Sequence, residues 1–277
     1  MALKDILVHV DGSRSMPGRV RAAVELARTH EAHLTGLYVI EVPVLPSYAE
    51  AQIPTAIIEA QYEAFVAAAA AAERTFAELT SNVDINPEWR LVEDRRLAAL
   101  SLHAQYVDLL MVGQVDPGDP ECANRGLADR LALESGRPVM VIPAGGAAEP
   151  IGKSILIAWN GKREAVRAIS DAMPLLEAAD RVTVVTVNSE SDDSENAGIP
   201  AADIGLHLAR HGIDTTTESI YAAPAAIGEL LLDVAGDTSA DLLVMGAYGH
   251  SRFREIVLGG VTAHILAHTM IPTLIAH

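Results

Sequence analysis

The chain is short of cysteine, aromatic residues, positive charge and long apolar runs, and each shortage removes a class of protein. Cys122 is its one cysteine, so no internal disulfide and no multi-cysteine zinc site can form, which fits a reducing compartment. Aromatic residues make up 4%, which suits helices packed closely on a sheet better than an aromatic-rich sandwich. Lys and Arg number 20 against 37 Asp and Glu, a formal charge of −17. A surface this acidic disfavours nucleic acid and anionic membranes, whose phosphates are neutralised by basic patches. No run approaches the ~20 apolar residues of a membrane span. The opening MALKDILVHVDG passes straight into a strand-like run without a basic leader or cleavage pattern, so the expected location is cytoplasmic.

What the chain does have is a unit written twice. Ile6-Leu-Val-His-Val-Asp-Gly12 returns as Ile155-Leu-Ile-Ala-Trp-Asn-Gly161, and Asp108-Leu-Leu-Met-Val-Gly113 returns as Asp241-Leu-Leu-Val-Met-Gly246. In each copy another glycine follows, Gly126 and Gly259, and then a Pro-led apolar run at 138–142 and 272–275. Self-similarity at this scale marks a duplicated domain. With 277 residues, two domains of ordinary size are expected, 1–146 and 151–277, joined by small and polar residues at 144–150.

Within each half, short apolar runs alternate with helical patterns. In the first half the reading is strand 4–10, helix 17–30, strand 34–40, a long Ala-rich helix at about 50–80, strand 88–92, helix 95–105, strand 108–113, helix at about 122–135 and strand 138–142. Strands apolar on both faces that alternate with helices imply an open parallel sheet with helices on both sides, an α/β, Rossmann-like architecture. In the second half the polar, acidic stretch 188–198 takes the place of most of the long helix and reads as a loop. The Ala-rich 64–74 reads as a closely packed helix, because it lacks the basic face of a membrane-surface helix.

In such sheets ligands settle beyond the carboxyl ends of the strands, where strand order reverses. Gly246 ends a strand, and a following helix would present unpaired N–H groups and the positive end of its dipole. Glycines there let phosphate oxygens approach the backbone. His250, Ser251, Arg252 and Arg254 add donors and charge, and Thr262 adds a hydroxyl. Glycines after strands also make ordinary turns, so spacing alone does not decide the matter.

The second half resembles a universal stress protein domain, whose nucleotide-binding members carry GxxG, nine residues, then Gly with Ser or Thr, after a strand. Here Gly246-Ala-Tyr-Gly249 is followed by nine residues and Gly259. ILIAWNG, DLLVMG and the closing Pro-led strand agree in order, and the likeness extends over both halves. The resemblance implies a tandem member whose halves pack as an internal pseudo-dimer through their last strands, as a monomer or a further homodimer. It also implies an adenine nucleotide, ATP or a relative with Mg2+, held by Trp159, Asn160, Gly161, Val187, Met245, Gly246, Gly249, His250, Ser251, Arg252, Gly259, Gly260, Val261 and Thr262. Asn160 stands where family members have an adenine-facing Asp, and Gly260 stands where they have Ser or Thr. The first half keeps Asp11, Gly113 and Gly126. Its 113–121 segment, however, carries carboxylates and prolines where phosphates would lie, so it is expected to be a degenerate copy.

His207 with His211, and His264 with His268, are spaced for one helix face, but neither pair has a third ligand nearby, and surface or capping roles are expected with no metal. Cys122, beside Glu121, lacks the surroundings of an activated thiol. No nucleophile-and-base grouping, GxSxG elbow, HExxH or P-loop lysine motif is present, so at most slow ATP hydrolysis is expected. The leading reading is a stress-response sensor binding adenine nucleotide in its second half. The alternatives are a scaffold of the same family that binds none, and an adenylating enzyme or flavoprotein subunit of similar layering.

Overall fold

The computed structural model describes residues 3–41, 54–122, 126–148, 150–188, 201–221, 223, 226–248 and 260–277. The first half runs β1 (Asp5–Val10), α1 (Met16–His30), β2 (His33–Ile40), α2 (Thr55–Thr80), β3 (Asn86–Glu93), α3 (Arg96–Ala104), β4 (Leu109–Gly113), α4 (Leu127–Glu134), β5 (Val139–Ile142). The second runs β6 (Ser154–Trp159), α5 (Arg163–Leu176), β7 (Arg181–Asn188), α6 (Ala201–Arg210), β8 (Thr215–Tyr221), α7 (Ile227–Asp237), β9 (Leu242–Gly246), α8 (Gly260–His268), β10 (Thr273–Ala276).

Ten strands form one sheet in the order β3-β2-β1-β4-β5-β10-β9-β6-β7-β8. Every pairing is parallel except the central one, where β5 and β10 run antiparallel with Thr273 opposite Val141, Leu274 opposite Met140 and Ile275 opposite Val139. The two Pro-led strands are therefore the seam of the internal pseudo-dimer. All four residues of each are buried, and burying one such side chain stabilises by roughly 1.5–3 kcal/mol. The carboxyl ends of the two parallel halves consequently point in opposite directions.

Alternation along the strands builds a core on each face. Ile6, Val8, Ile155 and Ile157 face α1 and α5, while Leu7, Leu110, Leu156 and Leu243 face the layer of α3, α4 and α7. The repeated aspartates have a local task. Asp108 accepts the backbone N–H groups of Lys4 and Asp5, and Asp241 accepts those of Gly152, Lys153 and Ser154. Each carboxylate fixes the start of the strand beside its own, satisfying donors that no ladder reaches.

Three expectations need correction. The outer strands β3 and β8 are not apolar on both faces; at the two sheet edges much of their length is exposed. The Ala-rich helix is not closely packed throughout, because only Ala69, Ala72, Phe76 and Thr80 of α2 are buried, while Ile57, Ile58, Tyr62 and Val66 lie exposed in its first half. The helix expected at 122–135 begins at Leu127, after Gly126 in the left-handed region. The acidic segment 189–198 lies outside the described residues.

Candidate functional site

β1 lies between β2 and β4, and β6 between β7 and β9, so each half has one point of order reversal with a crevice beyond its carboxyl ends. The sequence predicts a working site at the second and a degenerate one at the first.

At the second crevice β6 ends in Trp159, which is buried with its indole Nε1 lacking an acceptor among the described residues. Asn160 follows, exposed, and its Oδ1 accepts the Lys162 N–H at 3.0 Å. Gly161 has φ 68°, a value only glycine adopts without penalty, and it turns the chain into α5. The opposite wall is the end of β9. A Cβ on Gly246 would come within 2.5 Å of the Ala165 nitrogen, so this glycine is required by the start of α5. Met245 is buried towards the α7 layer. Gly260 is exposed at the first residue of α8, and a Cβ there meets nothing within 4 Å among the described residues. Val261 packs against the same core. Thr262, expected to offer a hydroxyl, is buried on the helix face it shares with Ile265. The side chain of Val187, and Gly249, His250, Ser251, Arg252, Arg254 and Gly259, lie outside the described residues.

A polar chain that sequence reasoning missed closes the base of this crevice. His277 Nδ1 donates to the Ala247 carbonyl at 2.9 Å, its Nε2 accepts from Arg163 at 3.2 Å, and Arg163 Nε donates to Glu164 at 2.8 Å. Burial alone would raise the Glu164 carboxyl, yet the Arg163 bond and the other nearby groups hold it below the usual range. Only the fold brings the last residue to a helix start, so no sequence signal pointed to it.

The first crevice is filled from within. Asp11, the counterpart of Asn160, is buried, and its Oδ1 accepts from Arg19 Nη2 at 2.8 Å and from the Ser13 N–H and hydroxyl. Arg19 is fully buried, with Nε donating to the His9 carbonyl at 2.7 Å. Burial opposes ionisation of Asp11, but Arg19, His9 and Ser13 hold its carboxyl well below the carboxylate range. His9 beside it is pushed down to about 3 by burial, with Asp11 opposing and Arg19 and Arg96 adding to the shift. Arg19 was legible in principle, as a charged residue on the same stripe of α1 as Val20, Ala23 and Ala27.

The segment after β4 then closes on the β1–α1 turn. The Arg14 N–H donates to Asp119 at 2.6 Å, and its guanidinium donates to the Gly118 carbonyl at 2.6 Å beside Asp116. Cys122 is buried in this segment, its Sγ accepting the Asp116 N–H at 3.3 Å. A Cβ on Gly12 would lie 3.4 Å from the Glu121 carboxylate. Beside Gly113, Gln114, Gly126 and Asp129 lies a cavity of about 30 Å³, room for a water.

The histidine pairs lie elsewhere. His207 and His211 meet edge to face at 5.0 Å, and His264 and His268 stack at 4.4 Å with His268 Nδ1 donating to the His264 carbonyl. Among the described residues no three His, Cys, Asp or Glu side chains could hold a metal, and no helix is long and apolar enough to cross a membrane.

The sequence pattern of the Universal stress protein family matches residues 2–143 and again 152–277. The chain belongs to the universal stress protein family. A universal stress protein from Archaeoglobus fulgidus superposes with a TM-score of 0.76 over 98% of this chain and 95% of its own, at 14% identity. A functionally unknown protein from Pseudomonas aeruginosa PAO1 does so with a TM-score of 0.62 over 99% and 92%, at 12% identity. At such identities these likenesses show the fold. In sequence, a universal stress protein of Synechocystis sp. is 48% identical over 46 residues, 17% of this chain and 16% of that relative's length.

Proposed function

We propose that this universal stress protein binds an adenine nucleotide, ATP or a close relative, in its second half alone, and acts in the cytoplasmic stress response as a sensor whose occupancy alters its contacts with a partner. The observation that supports this most is Asn160. It lies exposed at the end of β6 beside the reversal point, whereas Asp11 at the matching place is sealed by Arg19. An amide there can donate to and accept from a purine edge. The start of α8 at Gly260 would offer backbone N–H groups to phosphate oxygens. Gly249, Ser251, Arg252 and Gly259 complete the site in this reading, and Mg2+ would enter with the phosphates.

The rival reading, a family scaffold that binds no nucleotide, draws on two features of the same helix. Gly260 has no hydroxyl and Thr262 is buried, so α8 offers phosphate its backbone only. Titration of Mg-ATP followed by Trp159 fluorescence, in a Trp89→Phe background, separates the two. A saturable change lost in Gly249→Glu supports the sensor; no change, confirmed by calorimetry on the folded protein, favours the scaffold.

A further inference from the structure

Tyr248 leaves β9 with φ 60°. The left-handed region costs a residue with a Cβ about 1–2 kcal/mol, so its surroundings must hold it there. The Tyr248 hydroxyl donates to Asp129 Oδ1 in the first turn of α4, across the seam in the other half. Both residues are half-buried, and Tyr248 is the one hydrogen-bond donor to Asp129 among the described residues. A half-buried hydroxyl and carboxylate would each lose free energy if left alone, so each holds the other in place.

The pair occurs once although the fold occurs twice. In the repeat, Val115 matches Tyr248 and Thr262 matches Asp129, and a valine cannot make the bond. The contact is thus found only where the chain leaves the strand into the glycine motif that keeps its pattern. A second brace crosses the seam from the opposite side. Buried Gln114 donates to the carbonyls of Leu266 and Thr269, both at 3.1 Å, and accepts the Ala144 N–H at 3.0 Å. It thereby secures the far end of α8, the helix that begins at Gly260.

We propose that Asp129 of the first half, acting through Tyr248, is a positioning residue that holds residues 246–248 in the conformation the second-half site uses. The half that has lost its own crevice then helps to shape its neighbour's. This inference rests on the nucleotide reading above. The test is calorimetry with Mg-ATP on the full chain and its variants, together with amide hydrogen exchange over residues 245–248.

Tyr248→Phe and Asp129→Ala should each weaken binding roughly three- to thirtyfold, and the double variant should bind no worse than either alone, as expected of one shared interaction. Asp129→Asn, which still offers a carbonyl acceptor, should restore most of the affinity, a rescue that simple loss of packing would not give. Exchange over 245–248 should quicken in Tyr248→Phe. Wild-type affinity in Tyr248→Phe overturns the proposal while leaving the nucleotide reading intact. If the wild type binds no nucleotide, that reading fails, and exchange decides this one: unchanged rates in Tyr248→Phe overturn it, and faster rates uphold Asp129 as the residue holding the turn.

Discussion

The two halves share strand order, glycines and strand-starting aspartates, yet they differ in what stands at the end of the central strand: a buried ion pair in the first, an exposed amide in the second. In the first, Asp11 is answered by Arg19 and Ser13, and Arg14 by Asp119, at the end of the central strand. In the second, Asn160 and Ala168 stand in place of the Asp11–Arg19 pair, and the strand end is left exposed. The comparison teaches that one fold can carry different chemistry at the same strand end, where charges can be answered from inside the chain. The predictions below probe that difference, from the buried ion pair to the glycines.

The largest effect should come from Arg19→Ala, which gives the first half the second half's small residue while leaving Asp11 buried without its cation. Breaking a buried pair from one side costs about 3–5 kcal/mol, read as a lower urea midpoint. Adding Asp11→Asn, which installs the whole second-half pair, should recover much of that loss. A double variant no more stable than the single one would show that Asp11 and Arg19 do not depend on each other.

The next effect is a dependence on acid that the second half, with Ala158 at the matching place, lacks. His9 has its pKa lowered by burial from 6.5 to about 3, with Asp11, Arg19 and Arg96 around it. Between those values the unfolded chain binds a proton that the folded chain does not, so stability falls as pH falls, by at most about 1.4 kcal/mol per pH unit. Urea unfolding from pH 7 to pH 4 should show this slope, and His9→Gln should flatten it. Asp11, held low, contributes stability that is lost only in stronger acid, below the unfolded value of 3.8. A slope unchanged by His9→Gln would place the sensitivity elsewhere.

Two glycines of the second crevice should part company. Gly246→Ala forces a Cβ against the backbone of α5 and should cost about 1–3 kcal/mol, visible as a lower thermal midpoint. Gly260→Ser meets no neighbour among the described residues and should leave that midpoint nearly unchanged. The smallest effect follows from the same substitution. A serine hydroxyl at the start of α8 adds one charge-assisted hydrogen bond to phosphate and should tighten Mg-ATP binding by roughly three- to tenfold. A Gly260→Ser variant that binds no better would remove the link between this position and the ligand.

Much of the architecture was legible because it is written in local signals that repeat. The paired motifs ending at Gly113 and Gly246 marked duplication and apolar runs of strand length marked a parallel sheet, while the seam through the Pro-led runs was implied by the family resemblance alone and its antiparallel sense appears only in the structure. The candidate site was read from glycine spacing and strand ends alone. Gly246 was assigned to phosphate, but its close approach to Ala165 appears only once α5 is packed. Arg19 sat in view on an apolar helix stripe, with its partner eight residues upstream. Tyr248 with Asp129, Gln114 with α8, and His277 with Arg163 are joined across long stretches of sequence by the seam and the sheet, and no periodicity encodes such meetings.

The most direct test of the account is the number of adenine nucleotides bound per chain, measured by equilibrium dialysis with labelled ATP and Mg2+ at saturation. One per chain, lost in Gly249→Glu and unaffected by Asp11→Asn with Arg19→Ala, is the result the account predicts. Two per chain would show that the first crevice opens despite its internal ion pairs, and none would show that the second is as closed to nucleotide as the first.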